Sequence, residues 1–229
     1  GEKIGCFLAD EILAVSLDLQ KYIRIKYKRE SHFVPHGINQ EKYLPANLIK
    51  KWGLKKNNYI LAVTRLIPHK GVHYLIEAFN DIKTDKNLVI AGPSFYTQNY
   101  ERKLKKLAEN NSKIIFLGEQ HGQILKELYN NAYLFVHASE IEGLPLNIME
   151  AAGFGCLPLL SNIEGHRETF SDLPFFFKNK DVYDLKKKLI FLLKRPRLVN
   201  QKGKEIQRYG QKKYNWDKSV EKIIFRYSH

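Results

Sequence analysis

The chain has 229 residues, 38 Lys and Arg against 24 Asp and Glu, a formal net charge of +14 and only 2 cysteines. That length suffices for one large α/β domain, or one domain plus a fragment, and folding should bury roughly 70% of the unfolded surface. Cys6 and Cys156 fit no metal spacing and no disulfide framework, and the longest apolar runs, "YLFVHA" and "CLPLL", fall far short of the ~20 residues of a membrane span; two reduced thiols in a cytoplasmic protein without a signal peptide are expected.

The sequence begins at Gly1 rather than Met, and "GCFLADEILAVS" reads as the interior of something longer, so the first part of a larger protein is expected to be missing. Residues 11–35 read as a strand "EILAVS", a helix "LDLQKYIRIKY" capped by Ser16, and a short strand "HFVP". Residues 36–58 form a connector with Gly37, Pro45 and a short amphipathic piece around "NLIKKW". From residue 59 onward, short β-branched or aliphatic runs alternate with longer amphipathic segments. The runs are 59–63, 87–92, 113–118, 133–138, 156–160 and 174–177. The segments between them repeat apolar residues at three- and four-residue steps, as Val72, Leu75, Ile76 and Phe79 do. This alternation is the mark of βαβ units, and predicts an α/β fold with a Rossmann-like, doubly wound parallel sheet of six strands. Beyond residue 180, helices are expected at about 181–194, at 196–213 with Pro196 in its first position, and at 216–227. The expected organisation is 1–35 as the last strand and helix of a preceding domain, 36–58 as connector, 59–213 as the Rossmann-like domain, and 214–229 as a helix packing back.

Charge is uneven along the chain. Residues 181–229 carry 14 basic and 5 acidic side chains (net +9), whereas residues 121–180 carry 4 and 7 (net −3). Solvated helix faces, an anionic membrane or acceptor, and nucleic acid all remain open for the basic end, although no aromatic-interleaved nucleic-acid signature accompanies it.

With the usual strand order 3-2-1-4-5-6, winding reverses between the strands at 59–63 and 133–136, and ligands bind outside the carboxyl ends of strands at that point. The loops leaving those strands are "TRLIPHKG" and "SEIEGLP". They hold Arg65, Lys70 and Glu142, with Glu150 a turn and a half into the following helix, so two cations and two carboxylates are expected to converge on one crevice. Arg and Lys suit a diphosphate, while ionised carboxylates suit pairs of sugar hydroxyls. Pro145 fits the first helical position and would leave the N–H groups of Leu146 and Asn147 facing an anion. Taken singly, each of these charges also reads as an ordinary surface or helix-terminal group. His69, His137 and His166 read as structural histidines and receive no role. There is no D-x-D, H-x-x-x-H or Cys cluster, so no metal is expected to be required.

Several stretches resemble the retaining glycosyltransferases of family 4, which have the two-domain GT-B fold. "FVPHGIN" is similar to the family's interdomain link V-I-P-N-G-V-D. "AVTRLIPHKGVHYLIEAF" resembles its G-R-L-x-x-x-K-G-x-x-x-L-I-x-A block, and "LVIAGP" and "IIFLGEQ" resemble its next two strands. "SEIEGLPLNIMEAAGFGCLPLLSNIEGHRE" resembles its E-x7-E segment and the G-G-x-x-E turn after it. The resemblance runs along nearly the whole chain and implies the carboxyl-terminal, donor-binding half of such an enzyme. It implies that Arg65 and Lys70 neutralise the diphosphate of a nucleotide sugar, that Glu150 binds the ribose, and that Glu142 contacts the transferred sugar. Gly118, Glu119 and Gln120 would frame the base, and Gly143, Leu144 and Leu146 would line the donor. The implied reaction transfers a hexose to a carbohydrate or lipid-linked acceptor with retention. No cofactor is implied beyond the donor substrate, and no nucleic acid, whereas a peripheral contact with an anionic membrane is compatible. His36 and Asn39 depart from the link, Pro145 stands where many members have Gly, and Gly165-His166-Arg167 stands where a Gly-Gly pair is commoner. Most of the amino-terminal half is absent, so the chain alone is expected to bind donor weakly and not to catalyse. Two alternatives stay open: a GT-B phosphorylase or sugar-phosphate synthase, and a non-catalytic sugar-nucleotide-binding or membrane-docking module.

Overall fold

The computed structural model describes residues 1–38, 44–95 and 97–227; Asn39 of the expected connector lies outside them. The chain opens with α1 (Glu2–Leu8), β1 (Leu13–Ala14), α2 (Leu17–Tyr27) and β2 (His32–Phe33), followed by a 3-10 turn at Leu48–Trp52. The alternating region then runs β3 (Tyr59–Val63), α3 (Val72–Asn80), β4 (Asn87–Ala91), α4 (Gln98–Ala108), β5 (Ile114–Gly118) and α5 (Gly122–Asn131). It continues with β6 (Leu134–His137), α6 (Leu146–Gly153), β7 (Pro158–Ser161), α7 (Glu164–Phe170) and β8 (Phe175–Phe177). Three helices close the chain: α8 (Val182–Leu193), α9 (Pro196–Lys213), with its proline at the first position, and α10 (Trp216–Tyr227). No helix among the described residues is long and apolar enough to cross a membrane.

The main sheet has six parallel strands in the order β5-β4-β3-β6-β7-β8, which is the doubly wound order expected from the sequence. Helices α4, α3 and α8 pack together in one group and α5, α6 and α9 in another. With helices on both faces, a strand has no solvent side: all four residues of β6 and of β7 are buried. Large rings fill the interior, with Tyr59, Tyr129, Phe79, Phe135, Phe170 and Phe177 under 2% exposed. Where β4 meets β5 the register shifts after Ile90, so that Ala91 pairs with Gly118; the irregularity falls where β5 gives way to its loop.

Contacts distant in sequence set the ends. Ser16 Oγ caps α2 by accepting from Leu19 N at 3.1 Å, and the Glu168 carboxylate accepts from the N–H groups of Leu17 and Asp18 at the same helix end. The N-terminus of the 3-10 turn is capped by a buried carboxylate: Glu127 Oε2 accepts from Asn47 N at 2.9 Å and Leu48 N at 2.7 Å. Helix α1 buries no residue. Arg29 holds its end, donating to the carbonyls of Cys6, at 2.9 Å, and Ala9, at 2.6 Å. At the start of α10 the Trp216 ring lies so close to Gly37 that a Cβ there would overlap it, and Ser219 Oγ donates to Pro35 O at 2.8 Å.

Candidate functional site

Strands β3 and β6 are neighbours from which the chain winds outward in opposite directions, so the loops at their carboxyl ends share one crevice. Backbone contacts lace these loops together. Glu140 N donates to His69 O at 2.8 Å and Ser139 Oγ to the same carbonyl at 3.2 Å. Gly71, at φ +67°, passes so near Ala138 O that any Cβ would overlap it. Asn147 Nδ2 donates to Val63 O at 2.6 Å and ties the start of α6 to the end of β3. The consequence is an ion pair between Lys70 and Glu142, whose side chains are only 13% and 11% exposed.

Behind Glu142 the crevice is polar and buried. His137 Nε2 lies 3.5 Å from Glu142 Oε1, and His137 Nδ1 lies 3.0 Å from His166 Nε2. His166 Nδ1 sits 2.8 Å from Ser161 O. Burial is the main cause that pushes His166 down to about 4 and His137 well below its ordinary value; His166 and Lys70 add to the shift of His137. Gly165, in the first turn of α7, backs the Glu142 loop so closely that a Cβ would lie 2.5 Å from Gly143 O and closer still to Glu142 O.

Glu150 stands apart from this pair. It is exposed, eight residues further along, and accepts a hydrogen bond from the buried Tyr129 hydroxyl at 2.9 Å. Here it lines a cavity of about 290 Å³ with Leu146, Met149, Tyr129, Gly122, Gly37 and Trp216. Arg65 is exposed on the loop after β3, and among the described residues its guanidinium has no partner. Gly118, at φ +66°, turns the chain out of β5; its carbonyl accepts from Gly92 N at 2.8 Å. Glu119 is exposed beside His121, and Gln120 Nε2 folds back to Leu117 O at 2.7 Å. Gly143 is exposed and Leu144 half-buried. The expectation that Pro145 opens α6 is corrected by one residue: its ψ of 106° leaves it at the N-cap, and Leu146 is the first helical residue. The N–H groups of Leu146 and Asn147 remain in the first turn, where a helix supplies no partners.

The structure thus unites Lys70 with Glu142 and sets Glu150 in a neighbouring cavity, rather than placing all four charges in contact. It also revises the reading of the histidines. His166 is satisfied at both nitrogens, but His137 Nε2 is buried without a hydrogen-bond partner among the described residues. His137, Glu142 and His166 offer ligand atoms within 4.8 Å of one another. Both ring nitrogens of His166 are already engaged and the Lys70 ammonium occupies Glu142, so this arrangement is not a ready three-donor face for a metal. On sequence alone, Tyr129 and Gly165 have no place in the site and His137 reads as structural. Tyr129 sits in an apolar helical stripe and reads as core, which its ring is; nothing local marks the partner of its hydroxyl.

Residues 46–216 match the family described as glycosyl transferases group 1. The chain belongs to that family. Among curated relatives of this group 1 chain, it is 27% identical over 177 residues to the N,N'-diacetylbacillosaminyl-diphospho-undecaprenol alpha-1,3-N-acetylgalactosaminyltransferase of Campylobacter jejuni, covering 71% of this chain and 44% of that protein. It is 28% identical over 224 residues to a glycogen synthase of Photobacterium profundum, covering 90% of this chain and 42% of the other. The chain therefore spans under half the length of these relatives. Among solved structures, Anabaena HepE in complex with UDP and glucose superposes with a TM-score of 0.89 at 18% identity, covering 98% of this chain and 65% of HepE. At that identity the likeness is one of fold, the GT-B glycosyltransferase fold.

Proposed function

We propose that this group 1 chain is the donor-binding half of a retaining, family 4-like hexosyltransferase. It moves a sugar from a nucleotide diphosphate to a hydroxyl of a carbohydrate or lipid-linked acceptor. The observation that carries the reading is the Lys70–Glu142 ion pair, nearly buried at the switch point, one helical segment away from Glu150 and its cavity. A cation held there has little solvation to lose when a diphosphate arrives, and the first turn of α6 adds backbone donors and the positive end of its dipole. Lys70 and the exposed Arg65 take the diphosphate and neutralise the charge that grows on it as the bond to the anomeric carbon breaks. Glu142, released from Lys70, accepts from the transferred sugar, aided by the backbone of Gly143, Leu144 and Leu146. Glu150, oriented by Tyr129, accepts from the ribose hydroxyls, and the backbone of Gly118, Glu119 and Gln120 frames the base. The acceptor hydroxyl attacks from the face the nucleotide leaves, and configuration is retained. Rate enhancement on this account comes from positioning and electrostatics, and no metal is required.

The likeness to the Campylobacter N,N'-diacetylbacillosaminyl-diphospho-undecaprenol alpha-1,3-N-acetylgalactosaminyltransferase supports a lipid-linked acceptor. The net charge of +9 over residues 181–229 supports a cytoplasmic protein in peripheral contact with anionic lipid. The rest of the cleft lies outside these residues on this reading, so the chain alone binds donor weakly, at about −4 kcal/mol for a millimolar complex, and does not catalyse. Ligand-observed NMR with UDP, GDP, ADP and CDP tests the site. One nucleotide is expected to bind selectively, with affinity falling more than tenfold in folded Arg65→Ala and Glu150→Ala chains. Equal binding by all three proteins would remove both residues from the site.

A further inference from the structure

The hydrogen-bond polarity around the two buried histidines of the crevice can be followed from one end to the other. A carbonyl oxygen only accepts, so His166 Nδ1, 2.8 Å from Ser161 O, carries a hydrogen. The Ser161 hydroxyl, 3.2 Å away, gives its own hydrogen to Ser139 O. Burial keeps His166 neutral at physiological pH, so its Nε2 is bare. The hydrogen between the rings, at a separation of 3.0 Å, must then sit on His137 Nδ1. His137 is neutral for the same reason, and its Nε2 presents a lone pair. That lone pair, 3.5 Å from Glu142 Oε1, has no hydrogen-bond donor among the described residues. Two acceptors therefore face each other across the crevice, and Lys70 flanks the same carboxylate oxygen.

We infer that His137, locked in one tautomer by His166, is the acceptor that reads a hydroxyl group of the transferred sugar, while Glu142 reads the adjacent one. The inference rests on the donor-binding role proposed above and goes beyond it in naming a specificity residue. When Lys70 turns to the diphosphate it leaves the Glu142 oxygen that faces His137 Nε2. Hydroxyls on neighbouring ring carbons each donate one hydrogen and satisfy Nε2 and the carboxylate at once. A donor lacking that hydroxyl leaves a buried lone pair unmet, which is how a hydrogen-bonding site rejects a deoxy analogue more sharply than an apolar pocket rejects a missing methylene.

The test compares the chain with its His137→Asn variant. The Asn amide keeps a donor towards His166 and removes only the Nε2 acceptor. Affinities are measured for UDP, GDP, ADP and CDP, for their glucose conjugates, and for the deoxyglucose forms of whichever conjugate binds. His137→Asn is expected to bind the bare diphosphate as the unaltered chain does and to bind the sugar conjugate roughly fivefold more weakly. One deoxy form should weaken the unaltered chain by a similar factor and leave the variant unmoved. Equal losses for diphosphate and conjugate would show a merely structural histidine and overturn the inference, as would an unchanged affinity for the conjugate. Nitrogen-15 shifts of the His137 ring in the unaltered chain give a readout that needs no variant. An Nε2 that carries a hydrogen at pH 7 would overturn the acceptor role. Failure of the unaltered chain to bind any nucleotide would instead remove the donor-binding reading, and this inference with it.

Discussion

Gly165→Ala tests whether α7 sets the position of the Glu142 loop. A Cβ at this position would lie 2.5 Å from Gly143 O and nearer to Glu142 O, whereas real contacts of this kind stay above 3.0 Å. The neighbours are backbone, so the strand of loop carrying Glu142 has to retreat by at least about half an ångström, since no rotamer change relieves the overlap. Overpacking of this sort costs about 1–3 kcal/mol, and the gain in helix propensity from Gly to Ala returns up to about 1 kcal/mol. The net expectation is a loss of about 1–2 kcal/mol, read as a lower urea midpoint with unchanged slope. Displacement of the Lys70–Glu142 pair should also weaken binding of the nucleotide sugar. The control is Gly143→Ala, two residues from Pro145 in the same loop, where a Cβ would meet nothing within 4 Å and stability should hold within about 0.5 kcal/mol. A Gly165→Ala chain as stable as the unaltered one would refute the argument that this close approach fixes the loop.

Glu127→Ala removes the carboxylate that caps the 3-10 turn through Asn47 N and Leu48 N; urea unfolding should show a loss of about 3 kcal/mol, and a loss under about 1 kcal/mol would mean the turn is capped otherwise. Arg29→Ala strips the carbonyl contacts at the end of α1; hydrogen exchange should rise over residues 2–10 while the global midpoint stays put, because α1 buries nothing. The pH dependence has a fixed sign. His166 is held at about 4 in the folded chain against an ordinary 6.5, so below pH 6.5 the unfolded chain takes up a proton that the folded one resists. Its stabilising contribution is complete above about pH 6.5 and is lost as pH falls towards 4, by about 3 kcal/mol. Urea midpoints that do not fall over this range would contradict a neutral, buried imidazole.

The regularities that repeat every two or four residues were legible in the sequence. The six strands and the helices Leu17–Tyr27, Pro196–Lys213 and Trp216–Tyr227 follow from hydrophobic periodicity, from the Ser16 cap and from Pro196 at a first helical position, and the switch point follows once the usual doubly wound order is assigned to those strands. That reasoning led to the loops of Arg65, Lys70 and Glu142, and to Glu150. Helix α1 was not legible: seven residues with Gly5 inside and no capping side chain have little intrinsic reason to be helical, and the group that holds their end, Arg29, lies about 20 positions away. The 3-10 turn depends in the same manner on Glu127, from a helix much later in the chain.

Within the site, the sequence by itself determined which charges stand on the loops beside β3 and β6, because loop membership is local and the strand order is topological. Only the tertiary structure decided which of them touch. Lys70 finds Glu142 across 72 positions, Tyr129 finds Glu150 across 21, and His137 finds His166 across 29. None of these separations carries a period that a helix or strand would impose; the first and third are set by how β3, β6, β7 and α7 pack side by side, the second by how α5 lies against α6. Burial also belongs to that level: a histidine in a sequence is an ordinary base near 6.5, and only the rings and strands closed over His137 and His166 make it a neutral, one-tautomer acceptor.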